Sequence, residues 1–119
     1  VGNLLFLSGI GPRLVADNSI PGNEYDGNGT LIKYDIAAQC HSVFANVRAV
    51  LQACGTDYVD LVDVTVYLTD MAKDFKTYNQ IWAEYFPDAV LAPCRTTLGI
   101  TALPTPIAIE LKCTAQLKD

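Results

Sequence analysis

Histidine and positive charge are scarce in this sequence, and their scarcity excludes several classes of function. The 119 residues include one histidine and eight lysines and arginines against thirteen aspartates and glutamates, so the formal net charge at pH 7 is −5. The basic residues are scattered, without a run that could follow a phosphate backbone. Because an acidic surface repels nucleic acid, we expect no nucleic-acid partner.

Metal-binding and disulfide patterns are also missing. The four cysteines form no C-x-x-C pair, and a single histidine cannot complete a zinc site, so no metal site is predicted. Cys40 and Cys54 fall on the apolar stripe of a predicted helix, and Cys113 falls on the apolar face of a predicted strand. Reduced, buried thiols are typical of a cytoplasmic protein, which is the predicted location.

Long hydrophobic runs are absent as well. The apolar runs are much shorter than the roughly 20 residues that cross a membrane, and no secretory signal is visible, so no membrane association is expected. Hydrophobic residues nevertheless make up 50% of the sequence, enough for one well-filled core. We expect a single domain over residues 1–119. Since the sequence opens at Val1 within a strand-like segment, an N-terminal strand is expected to be missing.

Hydrophobic periodicity predicts two helices. Apolar residues at three- and four-residue steps predict one helix over residues 35–54 and a second over residues 73–86. Asp35 suits the start of the first helix, because a carboxylate there meets the positive end of the helix dipole. Gly55 suits its end.

The remaining segments predict strands and one long loop. A compact apolar run predicts a strand over residues 4–8, and strict alternation predicts another over residues 62–68. Residues 17–29, rich in Asn, Asp and Gly, are expected to form a surface loop, followed by a short strand near residues 31–32. Residues 92–112 resemble a hairpin around a Pro-rich turn. The fold class is therefore α+β, a mixed sheet with both helices on one face.

Arg95 and Glu110 stand inside this otherwise apolar hairpin. Side chains alternate between the two faces of a strand. The core residues of the first hairpin strand are expected to be Thr96, Leu98 and Ile100. Arg95, Thr97 and Glu110 then all point away from the helices. Pairing the two strands across the turn would place Glu110 opposite Thr97 or Gly99, so we expect one polar patch on the open face.

Other residues have a structural interpretation that is simpler than a functional one. Exposed Arg–Glu pairs are common and contribute less than about 1 kcal/mol, so the pair itself could be structural. His41 is expected to be a solvated surface residue and Cys94 a packing residue. For Trp82 the first interpretation is a core residue, and the second is a residue of a subunit interface. Gly9 and Gly11 lack the further glycine and the following helix of a dinucleotide site.

The segments around the two charges resemble a known family, the reactive-intermediate deaminases, or Rid (YjgF-type) family. The motifs are Pro-Cys-Arg-Thr-Thr at residues 93–97, Leu-Pro at 103–104 and Ile-Glu-Leu at 109–111. Four other segments agree in order, at residues 3–9, 46–55, 63–71 and 78–87. The resemblance implies a chorismate-mutase-like subunit, a homotrimer and active sites in the clefts between subunits.

The resemblance also implies roles for individual residues. Arg95 would hold the substrate carboxylate, which a planar guanidinium binds through two hydrogen bonds. Glu110 would position or activate the attacking water. Ser8 and Asn79 would line the cleft. Thr97, which stands where many members have cysteine, is a further substrate-binding candidate, and no metal or organic cofactor is implied.

The implied function is hydrolytic deamination of small carboxylated enamines or imines to keto acids and ammonia. The substrates would resemble 2-aminoacrylate or, in one subgroup, the dicarboxylate 2-aminomuconate, for which Arg13 is a candidate second cation. The alternative is a non-catalytic protein on the same trimeric scaffold that binds keto acids or regulates another process. A nuclease or translation inhibitor is a third possibility, against which the acidic composition argues.

Overall fold

The computed structural model describes residues 2–118, in which two helices are interspersed among six strands. The elements are β1 (Leu4–Phe6), β2 (Glu24–Tyr25), β3 (Leu31–Lys33), α1 (Ile36–Ala53), β4 (Leu61–Leu68), α2 (Met71–Tyr85), β5 (Cys94–Gly99) and β6 (Ile109–Gln116). A short 3-10 turn, Tyr58–Asp60, precedes β4. Both predicted helices and the strand predicted near residues 31–32 are confirmed. No helix within the described residues is long and apolar enough to cross a membrane.

Carboxylate caps determine where the helices begin. The Asp35 side chain accepts a hydrogen bond from the Ala38 amide at 3.1 Å, and that of Asp70 accepts one from the Lys73 amide at 3.1 Å. Each bond satisfies one of the amides left free in the first turn of a helix. Because Asp70 caps α2, this helix begins two residues before its predicted start at Lys73. Gly55, at a φ of 82°, follows α1 in the left-handed conformation that commonly ends a helix.

The main sheet has four strands in the order β1-β6-β4-β5. Strand β6 is antiparallel to β1 and to β4, whereas β5 is parallel to β4. The predicted mixed sheet with helices on one face is confirmed, but the predicted hairpin is wrong, because β4 lies between β5 and β6. The physical reason is the segment β4–α2–β5: a crossover helix returns the chain to the same end of the sheet, so the two strands run parallel.

This parallel pairing reverses the predicted orientation of β5. Arg95 lies beside Val64 and Thr97 beside Val66, and both valines are buried under the helices. Arg95 and Thr97 therefore share the helix-covered face, contrary to prediction. Leu98, predicted to be a core residue, lies on the opposite face and is 44% exposed.

Glu110 lies on the face of the sheet that the helices leave open. Its neighbours Ile109 and Leu111 are fully buried in the core, and Glu110 pairs across the ladder with Tyr67. The predicted face of Glu110 is therefore confirmed. The predicted pairing with Thr97 or Gly99 is wrong.

The thiols divide between core and surface. Cys40 and Cys113 are buried as predicted, and desolvation raises the pKa of each thiol to about 12. Cys54 caps the exposed end of α1, and Cys94 lies on the open face beside Asp63, so both thiols are exposed. The predictions that Cys54 is buried and that Cys94 is a packing residue are wrong.

A buried amide attaches the long loop to the body of the protein. The fully buried Gln39 side chain donates to Asn23 Oδ1 at 3.0 Å and accepts from the Ala108 amide at 2.8 Å. Asn23 in turn donates to the Pro106 carbonyl at 2.8 Å. The loop is thereby joined to the segment that leads into β6.

Candidate active site

Helix α2 surrounds the side chain of Arg95 with three residues. Nη1 of Arg95 donates to Asn79 Oδ1 at 2.8 Å and to the Tyr78 hydroxyl at 3.3 Å. The guanidinium carbon lies 4.8 Å from the ring centroid of Trp82 and 5.6 Å from that of Tyr78, within the range of cation–π attraction. The Tyr78 hydroxyl is also 3.2 Å from Thr97 Oγ1. We call these five residues the arginine cluster.

The contacts leave one edge of the guanidinium available. Both hydrogen bonds that the side chain of Arg95 makes with residues 2–118 use Nη1, and the side chain is exposed. The Nε–Nη2 edge is therefore free to donate two parallel hydrogen bonds to a carboxylate. Among residues 2–118 the guanidinium forms no ion pair, so Arg95 and Glu110 are not an Arg–Glu surface pair within one chain.

Tyr78 is the buried member of the arginine cluster. Its side chain is fully buried, and desolvation raises the pKa of its hydroxyl, an effect that the contacts with Thr97 and Arg95 partly offset. The hydroxyl is thus neutral at physiological pH and can both donate and accept.

Glu110 lies beside a glycine on the open face. A Cβ atom at Gly9 would be 2.9 Å from Oε2 of Glu110, closer than real Cβ contacts allow. Ser8 precedes Gly9 and is exposed. Backbone hydrogen bonds from Leu7 to Cys113 at 3.0 Å and from Ile10 to Leu111 at 2.8 Å hold this segment along β6. We call Ser8, Gly9 and Glu110 the glutamate cluster.

The carboxylate of Glu110 is uncommitted. It makes no hydrogen bond or ion pair with any other residue in the part of the chain that the structure describes. It is half-buried among open-face side chains. A carboxylate in this state is available to accept a proton or a hydrogen bond from a ligand or water.

The two clusters do not meet within one chain. They lie on opposite faces of the sheet, and β4 separates β5 from β6. The predicted convergence of Arg95 and Glu110 on one patch of a single subunit is therefore wrong. Asn79 and Thr97 join Arg95, and Ser8 joins Glu110.

Arg13 belongs to neither cluster. Its Nη1 donates to the carbonyl of Asn18 within its own loop, at 2.5 Å. The Asn46 side chain on α1 holds the carbonyls of Gly11 and Arg13 at 2.9 and 2.8 Å. The segment before the long loop is thus fixed against α1, and the part of the chain that the structure describes does not place Arg13 beside Arg95 or Glu110.

Sequence reasoning missed Tyr78, Trp82 and Gly9 as site residues. The two aromatic residues lie on the apolar stripe of α2, where they are indistinguishable from core residues. The available signal was the order strand–helix–strand, which implies parallel strands and turns Arg95 toward α2. Nothing in the sequence distinguishes Gly9 from an ordinary turn glycine. Within residues 2–118, no three His, Cys, Asp or Glu side chains are gathered as metal ligands would be.

Comparison with known proteins identifies the family. The model of the Endoribonuclease L-PSP family matches residues 1–117, nearly the whole chain. The chain belongs to this family. The resemblance to the Rid proteins is confirmed, because the chain is similar to a protein named as a reactive-intermediate deaminase and to a solved structure from the Rid family.

Three similar proteins show how far the similarity extends. Reactive Intermediate Deaminase A, chloroplastic, of Arabidopsis thaliana is 37% identical over 115 residues, which are 97% of this chain but 54% of that protein. The chain thus spans about half the length of this relative. The structure of YyfA of the Rid family from Yersinia pestis has a TM-score of 0.82 and 26% identity, covering 98% of this chain and 82% of that one. Escherichia coli TdcF with bound serine has a TM-score of 0.80 and 26% identity, covering 99% and 84%.

Proposed function

We propose that this protein hydrolyses small carboxylated enamines or imines to keto acids and ammonia. The observation that carries the proposal is the free Nε–Nη2 edge of Arg95. The remaining nitrogen, Nη1, already donates to Asn79 and Tyr78. A relative named as a reactive-intermediate deaminase and a similar structure with bound serine, itself a small carboxylate, support it.

The chemistry requires few groups. The enamine tautomerises to the imine, water adds to the carbon of the C=N bond, and that C–N bond breaks to release ammonia and leave a keto acid. Arg95 binds the substrate carboxylate and so fixes the reacting carbon. Glu110 accepts the proton from the attacking water and returns it to the leaving nitrogen. No metal or organic cofactor takes part in these steps.

A complete site requires more than one copy of the chain. Because Arg95 and Glu110 lie on opposite faces, the arginine cluster of one subunit must meet the glutamate cluster of another. The open face also carries apolar side chains suited to an interface: Phe6 is 57% exposed, Leu98 44% and Leu4 38%. Contact between two different surfaces repeats head to tail, and it forms a ring where the rotation between subunits closes. The ring proposed here is the homotrimer that the family resemblance implies, with three sites between subunits.

The finer assignments are part of the same proposal. Ser8 and Thr97 bind substrate from the two sides of the cleft, and Asn79 contributes by holding Arg95 in place. Arg13 would bind the second carboxylate of a dicarboxylate such as 2-aminomuconate. The cytoplasm is the proposed location, since all four cysteines are free thiols.

The first test is the release of ammonia and keto acid from enzymatically generated 2-aminoacrylate and, separately, from 2-aminomuconate. We expect acceleration over buffer with at least one substrate, and its loss in the Arg95→Ala variant. Faster turnover of the dicarboxylate, with a selective loss in Arg13→Ala, would support the second cation. A folded protein that accelerates neither reaction would instead favour the keto-acid-binding alternative.

A mixing experiment tests the site between subunits. Arg95→Ala and Glu110→Gln subunits are each expected to be inactive alone. Refolded together in equal amounts, they should recover activity at roughly a quarter of the sites, where an intact Arg95 meets an intact Glu110 of a neighbour. If mixing restores nothing while each variant assembles normally, the shared site is wrong.

The name of the family raises RNA cleavage as another activity. The net charge of −5 argues against it, because an acidic protein repels the phosphate backbone. Incubation of the wild-type protein with RNA is therefore expected to leave the RNA intact.

A further inference from the structure

We propose that Tyr78 positions Arg95 and orients Thr97 as a hydrogen-bond donor to the bound carboxylate ligand. This inference rests on the proposed role of Arg95 as the carboxylate site. It assigns a function to a fully buried side chain and a direction to the hydrogen bonds of the arginine cluster.

The direction follows from what each group can donate. A guanidinium has donors only, so the 3.3 Å contact between Arg95 and Tyr78 must use the tyrosine oxygen as the acceptor. The Tyr78 proton then needs an acceptor of its own, because a buried hydroxyl proton without one is costly. Thr97 Oγ1, at 3.2 Å, is the hydroxyl's other hydrogen-bond partner among residues 2–118. The sequence of donation is therefore Arg95 to Tyr78 to Thr97.

This order determines what Thr97 can offer to a ligand. Since its oxygen accepts from Tyr78, its own proton is directed elsewhere. Thr97 is half-buried and lies two residues from Arg95 on the same face of β5. A ligand held by the Nε–Nη2 edge of Arg95 therefore meets a hydroxyl donor beside the guanidinium. A small anion with closely spaced oxygens, such as a 2-keto carboxylate, suits this pair of donors.

Tyr78 also limits how the guanidinium can turn. Asn79 and Tyr78 both hold Nη1, and the Trp82 ring supports the guanidinium plane. Two acceptors on one nitrogen leave the opposite edge directed outward. Removal of the Tyr78 hydroxyl leaves Asn79 as the remaining hydrogen-bond acceptor for that nitrogen, so the guanidinium can rotate more freely.

The test removes single hydroxyls from the assembled protein. Tyr78→Phe and Thr97→Val each delete one hydroxyl and keep the shape of the side chain, and Thr97→Ser restores the donor. Tyr58→Phe is the matched control, because the Tyr58 hydroxyl is also directed inward, to the Phe44 carbonyl at 2.5 Å, but does not touch Arg95. The measurements are the Kd for pyruvate, by titration, and the rotation of the Arg95 guanidinium in the free protein, by NMR of its side-chain nitrogens.

We expect Tyr78→Phe and Thr97→Val each to weaken pyruvate binding by about tenfold, the scale of one charge-linked hydrogen bond. Thr97→Ser should bind as the wild type does, and Tyr58→Phe should lose stability only. Guanidinium rotation should be faster in Tyr78→Phe and unchanged in Tyr58→Phe.

Two results overturn the inference, and they are distinct from failure of the proposed function. Unchanged guanidinium rotation in Tyr78→Phe shows that Tyr78 does not position Arg95, whether or not pyruvate binds. Wild-type affinity in Tyr78→Phe and Thr97→Val, while Arg95→Ala loses binding, refutes the donor role alone. If Arg95→Ala binds pyruvate as the wild type does, the carboxylate site itself is refuted.

Discussion

The two faces of the sheet carry the arginine cluster and the glutamate cluster in different states. On the helix-covered face, Arg95 is held by hydrogen bonds to Asn79 and Tyr78 and supported by Trp82. On the open face, the side chain of Glu110 lies against Gly9, and its carboxylate makes no hydrogen bond to any residue in the described range 2–118. The arginine cluster is arranged by contacts within the chain, whereas the carboxylate of the glutamate cluster has no such contacts among the described residues.

The difference shows where preorganisation resides in this protein. A cation that binds a substrate carboxylate must keep its orientation before the ligand arrives, and helix α2 provides this orientation. A carboxylate that exchanges protons must instead stay uncommitted. We therefore expect activity to fall when charge is removed from the arginine cluster, and when the space beside Glu110 in the glutamate cluster is filled.

The largest effect is expected at Arg95. Arg95→Ala removes the charged donor, which is expected to lower kcat/KM by about 100-fold. The exposed side chain leaves the melting temperature nearly unchanged. Arg95→Lys should recover little, because an ammonium lacks the two-pronged geometry. Steady-state kinetics and thermal unfolding measure both effects.

Arg48→Ala is the control for Arg95→Ala. Arg48 forms an exposed ion pair with Asp57 at 3.1 Å and has no recorded contact with either cluster, so its loss should change neither kcat/KM nor KM. Equal kinetics in Arg95→Ala and Arg48→Ala would show that the covered face is not the carboxylate site.

A smaller effect is expected from Gly9→Ala. The added Cβ would lie 2.9 Å from Oε2 of Glu110, so the carboxylate must move, and we expect a loss of about tenfold in kcat. Gly27→Ala is the control, because a Cβ there has nothing within 4 Å. If Gly9→Ala and Gly27→Ala turn over substrate equally, the position of Glu110 does not matter to the reaction.

Asp74, on helix α2, allows a test of how stability depends on pH. It is fully buried on α2, its Oδ2 accepts from the Tyr34 hydroxyl at 2.6 Å, and its Oδ1 has no partner among residues 2–118. Desolvation raises the pKa of this carboxyl, an effect that the Tyr34 hydrogen bond partly offsets. The folded state therefore keeps the proton to a higher pH than the unfolded state does.

The sign of the pH dependence follows from this raised pKa. As the pH rises from about 3.9, the unfolded carboxyl ionises first, so the contribution of Asp74 to stability falls until the folded pKa is passed. Asn cannot ionise, so the stability of Asp74→Asn relative to the wild type should increase over the same range. Urea unfolding at pH 4 to 8 measures the difference. A constant difference between the two proteins would contradict the raised pKa.

The smallest effect is a difference in reaction rate between two exposed thiols. Cys94 lies on the open face and Cys54 at the end of α1, while the buried thiols of Cys40 and Cys113 are unreactive because their pKa is raised to about 12. If a second copy covers the open face, Cys94 should react with a thiol reagent more slowly than Cys54. Dilution that dissociates the assembly should then accelerate Cys94 alone. Equal rates at every protein concentration would show that this part of the open face stays free.

Local features of the sequence were sufficient to predict the helices. The carboxylate of Asp35 and the 3- and 4-residue apolar spacing act within a few residues, and both helices fall within two residues of their predicted bounds. The cap at Asp70 was not predicted, and it accounts for the earlier start of α2. The face of Arg95 was not predictable in this way. It depends on which strand lies beside β5, and that neighbour, β4, is set by a crossover of the whole of α2.

The distinction between local features and contacts across the fold also explains which site residues could be predicted. The family resemblance carried over Arg95, Glu110, Ser8 and Asn79 from separate motifs. Tyr78 and Trp82, which also contact the Arg95 guanidinium, appear in the sequence as ordinary core residues. The space that Gly9 leaves for Glu110 depends on contacts between distant segments. Properties of a contact between elements therefore had to come from the structure.

The attachment of the long loop through Gln39 has a consequence for how this protein can diversify. The buried amide fixes Asn23 to the segment before β6, while the tip of the loop, at Gly27 and Asn28, is exposed and lies beyond that attachment. Insertions or substitutions at the tip can change the length or the sequence of the loop without transmitting strain to Glu110. The tip is thus a suitable place to graft a reporter peptide or an affinity handle, and a place where natural variation can accumulate while the chemistry is kept.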